Sequence, residues 1–82
     1  MYEAQVTIGL KKGVSDPEGT NTLKALHLLG FTGVKEAKTV RTIDLLIDAS
    51  SEQEVQTQVE QMCQRLLTNP VIHTYDIKIQ KK

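Results

Sequence analysis

Apolar and polar residues alternate through the first ten positions: Tyr2, Ala4, Val6, Ile8 and Leu10 interleave with Glu3, Gln5, Thr7 and Gly9. A period of two puts one set on a buried face, so the pattern predicts a half-buried strand. Lys11, Lys12 and Gly13 end it. The period then lengthens, and Leu23, Leu26 and Leu29, with Ala25, form a helical stripe. Ser15 and Asp16 are good N-cap types, and Pro17 suits a first helical position because its missing N–H costs nothing there. Glu18 complements the positive end of the helix dipole. Gly30 fits a left-handed C-cap, so the helix is predicted over 17–29.

From Val34 to Ala49 the chain is rich in β-branched residues. Ile43, Leu45 and Ile47 alternate with Asp44, Leu46 and Asp48, whereas Val34, Ala37 and Val40 do not hold one parity. The phase change between Lys38 and Thr42 predicts two consecutive strands joined by a tight turn or bulge, with one long bent strand as the alternative. Ser51 and Glu54 have capping-box spacing, and Val55, Val59, Met62 and Leu66 recur at helical intervals with Cys63 and Leu67 beside them. Asn69-Pro70 stops that helix, since the residue before proline disfavours α geometry. Val71, His73, Tyr75, Ile77 and Ile79 then alternate into a charged tail, a final strand.

The predicted order, strand–helix–strand–strand–helix–strand, is that of an α+β, ferredoxin-like βαββαβ domain. Two helices are expected on one face of a four-stranded antiparallel sheet, in a single domain over 1–82. The other sheet face must meet water or a partner.

Length changes the picture next. A core from 82 residues supplies only a few kcal/mol of net stability, ~3–5. Domains this small often add disulfides, a metal or a second subunit. Cys63 is the only cysteine, and His27 and His73 lie far from it in sequence, so neither an internal disulfide nor a zinc cluster is available. A homo-oligomer is therefore expected. Ten basic and ten acidic side chains cancel, which argues against a nucleic-acid partner. No apolar run approaches a membrane span or a signal peptide, and one unpaired cysteine fits a reducing compartment, so the cytoplasm is expected.

Catalytic chemistry is hard to place. Cys63 falls in the apolar stripe of the second helix and reads as a buried, inert thiol. His27 lies beside the apolar face of the first helix. The glycines at 9, 13 and 19 fit neither a P-loop nor a dinucleotide fingerprint. Capping accounts for Asp16 and Glu54, and strand alternation for Asp44 and Asp48. Tyr2, Phe31 and Tyr75 are the only aromatics, and no RNA-binding aromatic run exists. No catalytic, cofactor-binding or metal-binding residue is identified.

One stretch is more specific. Lys12 through Gly19 (KGVSDPEG), followed by Ala25-Leu26 and Leu29-Gly30, resembles the N-terminal signature of the PurS family, the small subunit of phosphoribosylformylglycinamidine synthase. Val34 through Leu45 is similar to that family's central β segment, and Met62 through Ile72, with Tyr75, to its second helix and last strand. The chain departs from the pattern at Val40, where glycine is expected, at Arg41, where lysine is usual, and at His73, where an acidic residue is common.

The resemblance implies a non-catalytic assembly subunit of de novo purine biosynthesis. The synthase converts formylglycinamide ribonucleotide, glutamine and ATP into the amidine. A large synthetase subunit uses ATP and Mg, and a glutaminase subunit releases ammonia. The small subunit bridges the two as a dimer or higher oligomer, helps ammonia transfer and binds no cofactor itself. The alternative, of a different class, is a ferredoxin-like regulatory domain that binds an amino acid or other small ligand at a dimer edge. Asp16, Pro17, Gly19, Arg41 and His73 are the candidate subunit-contact residues. Asp16 and Pro17 are also explained as cap and first turn. Gly19 costs ~1 kcal/mol against alanine within a helix, so close approach of another backbone would account for it. Arg41 lies on the central hairpin, and His73 shares the parity of Val71 and Tyr75.

Overall fold

The computed structural model describes residues 1–82. The opening alternation forms β1 (Tyr2–Leu10), the middle strand of a three-stranded antiparallel sheet. β2 (Arg41–Ile47) and β3 (His73–Lys81) pair with it on either side. The register brings like with like: Val6 lies opposite Ile43 and Ile77, and Ala4 opposite Leu45 and Ile79. On the other face Gln5 stands between Asp44 and Lys78, and Thr7 between Thr42 and Asp76. That face is polar apart from exposed Leu46, opposite Glu3, and meets water.

Both helices start where their caps dictate. In α1 (Pro17–Leu28) the Gly19 N–H donates to Asp16 Oδ1 at 3.0 Å, and Pro17 opens the first turn. The helix ends in a Schellman motif: Phe31 N–H donates to the Leu26 carbonyl and Gly30 N–H to that of His27, with Gly30 at φ 97°. In α2 (Glu52–Met62) the Glu54 N–H donates to Ser51 Oγ at 3.2 Å. The Glu54 carboxylate reaches back one residue further than a standard box, to the N–H and hydroxyl of Ser50.

α2 continues into a π-helical turn, Cys63–Leu67. There the Thr68 N–H and hydroxyl both donate to the Cys63 carbonyl, at 2.9 and 2.8 Å. The wider turn swings Leu66 out to 83% exposure, while Leu67 packs against the core. The core itself is thin: Ala4, Val6 and Ile8 of the sheet against Val55, Val59 and Cys63.

Two expectations need correction. The sheet has three strands, not four, and α1 does not share a face with α2. Residues 34–40, expected as a strand of a central hairpin, belong to no ladder. No Gly, Asn or Pro between Lys38 and Thr42 supplies the turn a hairpin needs, so the chain runs on into β2 without reversing. It runs instead beside α1, and the two project together from the sheet. The radius of gyration is 16.2 Å, against about 12 Å for a compact chain of this length.

Candidate functional site

The projecting half of the molecule is a helix and a strip of extended backbone tied together by side chains. At the start of α1 the Asp16 carboxylate is shared. Oδ1 caps the helix at Gly19, and Oδ2 accepts the Thr39 N–H at 2.8 Å. These N–H donors, Thr39's first, hold the Asp16 carboxyl below its ordinary range. The Ala37 carbonyl lies over Gly19 so closely that a Cβ there would stand 2.5 Å from its oxygen. Gly19 is the one buried residue of α1. At the far end His27 Nε2 lies 2.7 Å from the Val34 carbonyl, and since a carbonyl only accepts, the ring donates there. Both ends of the 34–39 strip are thus fastened to α1.

This outrigger leaves two apolar surfaces without partners. The first is on α1: along its stripe Leu23 and Leu26 are half-buried and Leu29 is 73% exposed, with Phe31 beyond the helix end 59% exposed, while Leu28, on the other side of the helix, is 89% exposed. The second lies on β2. α2 packs on β1 and β3, and the inward side chains of β2 (Ile43, Leu45 and Ile47) are left only half-buried. That is the place a second helix occupies in the fold the sequence predicts. One chain therefore carries both an amphipathic helix with exposed apolar side chains and a half-buried apolar strip on β2 of matching chemistry.

Between the end of β1 and the outrigger lies a cleft of about 970 Å³. Lys11, Lys12, Lys35 and Lys38 line it. Its two carboxylates are occupied: Asp16 by the backbone N–H groups, Glu36 by Lys38 at 3.4 Å.

The five candidate contact residues separate into two groups. Asp16, Pro17 and Gly19 meet at the root of the outrigger, where Pro17 is exposed. Gly19 does accommodate a backbone, but it is this chain's own Ala37. Arg41 and His73 lie at the opposite flanks of β1's end, paired with Ile8 and Leu10. Arg41 is exposed at the start of β2, not on a hairpin, with Nη2 3.5 Å from the Leu67 carbonyl. His73 Nδ1 accepts the Asn69 N–H at 2.8 Å and so shapes the loop before β3. The sequence did not single out Thr39, Ala37 or His27 as ties, since none carries a local motif. Leu28, Leu29 and Phe31 were findable, as an apolar cluster running past the end of the helical stripe.

Cys63 is buried against Val59 and Val55, and burial, followed by the Glu60 charge, raises its thiol pKa. No three metal-ligating side chains gather anywhere in the chain. No helix is long and apolar enough to cross a membrane.

The architecture is that of a small α+β domain whose most distinctive features are surfaces that one chain cannot cover. A family model described as PurS, phosphoribosylformylglycinamidine (FGAM) synthase, matches residues 3–81. The PurS subunit of Methanocaldococcus jannaschii is 51% identical over 81 residues, covering 99% of this chain and 98% of that one. The Bacillus subtilis PurS subunit is 31% identical over 99% of this chain and 95% of its own length. The crystal structure of M. jannaschii PurS, one of the subunits of formylglycinamide ribonucleotide amidotransferase in purine biosynthesis, superposes with a TM-score of 0.92, covering 100% of this chain and 99% of that one. This chain belongs to the PurS family, the small subunits of FGAM synthase in purine biosynthesis.

Proposed function

We propose that the chain is a non-catalytic assembly subunit of FGAM synthase, acting in the cytoplasm as a self-associated scaffold between the glutaminase and the large ATP-dependent synthetase. The observation that carries this is the coexistence, in one chain, of an amphipathic helix with exposed apolar side chains and a half-buried apolar strip on β2 that no helix covers. Each copy offers one helix and one berth, so two copies related by a twofold axis satisfy both at once. The exchange removes from water Leu29 and Phe31, which are exposed in the single chain, at roughly 25 cal/mol per Å².

Once paired, the subunit has no chemistry of its own to perform. ATP and Mg are handled by the large subunit. Glutamine is hydrolysed by the glutaminase, and the ammonia must reach the synthetase without escaping to water. A scaffold that holds the two larger proteins in fixed relation serves that transfer by geometry alone. The lysine-lined cleft and the polar sheet face are the surfaces left for them.

The test is reconstitution. The chain is combined with the large and glutaminase subunits, and amidine formation is followed with glutamine and, separately, with ammonia. Omitting the chain should abolish the glutamine-dependent rate and spare the ammonia-dependent one. An unchanged glutamine-dependent rate would refute the assignment.

A further inference from the structure

We infer that Asp16, Gly19 and Thr39 form a latch that keeps residues 34–40 extended along α1 and away from β2, and so holds the chain open for a second copy. The inference rests on the self-association proposed above and adds the device that prepares it.

Residues 34–40 adjoin β2 in sequence, and β2's outer edge has no partner. Folding back on that edge would close only a very short loop, whereas reaching a second chain means immobilising two molecules. Val34, Thr39 and Val40 also suit a strand. The missing turn residues between Lys38 and Thr42 count against a tight hairpin but leave a looser return to that edge open, and that return needs a further opponent. The structure supplies the opposition. Asp16 Oδ2 engages the Thr39 N–H at 2.8 Å, a ladder donor in any pairing where that group points at β2. Gly19 lets the Ala37 carbonyl approach where any side chain would collide with it. A glycine in the first turn of a helix is unfavourable by ~1 kcal/mol against alanine, and the contact it permits explains its presence. With both in place, β2's edge and the strip of Ile43, Leu45 and Ile47 remain free.

Asp16→Ser separates the latch from the helix cap, whereas Gly19→Ala strikes both, its Cβ falling 2.5 Å from the Ala37 carbonyl oxygen and 2.6 Å from Asp16 Oδ2. Asp16→Ser retains an oxygen for the Gly19 N–H and deletes the second acceptor. Gly19→Ala drives a Cβ into the Ala37 carbonyl. Sedimentation equilibrium of the whole chain over a concentration series should show the dimer dissociation constant raised about tenfold or more in both, the scale of one lost hydrogen bond to a charged group. Amide exchange at Thr39 should quicken in Asp16→Ser while far-ultraviolet circular dichroism stays helical. Should Gly19→Ala fail to fold, Asp16→Ser alone decides. A dimer that tolerates Asp16→Ser unchanged overturns the latch and leaves the self-association reading intact. A wild-type chain that is monomeric at every concentration overturns both.

Discussion

His27 donates from Nε2 to the carbonyl of Val34 at 2.7 Å, across seven residues and the whole Gly30–Gly33 turn. The contact fastens the distal end of the extended strip to α1. Replacing His27 with alanine should loosen residues 34–36 first, seen as faster amide exchange there. The loss of global stability should be no more than about 1 kcal/mol, because the bond is exposed.

The thin core makes a sharper demand. Val59 is fully buried against Ala4, Val6 and Cys63. Val59→Ala removes two methyl groups with little slack to collapse into, and should lower unfolding free energy by about 2 kcal/mol. A urea titration reads this directly, with the midpoint falling and the slope unchanged.

Exposed leucines on the outrigger should behave in the opposite way. Leu29 continues the stripe and is 73% exposed in the single chain, so Leu29→Gln removes little packing from its fold. Helical circular dichroism should be retained while light scattering shows the assembly shifted to monomer. If the variant remains as associated as wild type, α1 is not the exchanged element.

Acid should destabilise the chain. Asp16 is held below its ordinary value of 3.8 by the Thr39 and Gly19 N–H groups, and Glu54 below 4.5 by the Ser50 hydroxyl and N–H. A carboxyl depressed in the fold contributes stability that is full above its unfolded value and lost as pH falls through its folded one. The urea midpoint should therefore be flat from neutrality down to the ordinary carboxylate range and drop below it. Asp16→Asn combined with Glu54→Gln should flatten that drop.

Alkali should act through Cys63, whose thiol burial raises above 9.0. The unfolded thiol ionises first, so stability is full below that value and declines as pH climbs past it. At neutral pH the thiol should react with a maleimide no faster than the chain opens, and Cys63→Ala should remove the alkaline decline.

The elements that keep their own periodicity were legible. β1 and β3 alternate cleanly because one face of each is buried and the other is wet. α1 and α2 announce themselves through Asp16-Pro17 and Ser51, and Gly30 stops the first helix. Residues 34–40 were not legible, because β-branched composition suits a paired strand and an extended strip equally. What distinguishes them is a bond from Asp16 to Thr39, twenty-three residues away in sequence. The amphipathic stripe of α1 said that the helix must be covered but not by which chain. Gly19 was the one readable sign that backbone would pass close by. The PurS signature itself was plain in the residues around it. The candidate contacts divided accordingly. Asp16 and Gly19 turn inward to hold the outrigger, and Leu28, Leu29 and Phe31 are exposed at its far end.

The polar side of the sheet sets the arithmetic of any larger assembly. If copies join through their apolar sides, the faces carrying Gln5, Thr7, Asp44, Asp76 and Lys78 are left directed away from the join. A twofold pair would then display two equivalent hydrophilic platforms. Whatever docks on one has an identical seat on its opposite number, so occupancy should come in even numbers unless the first guest shields the second.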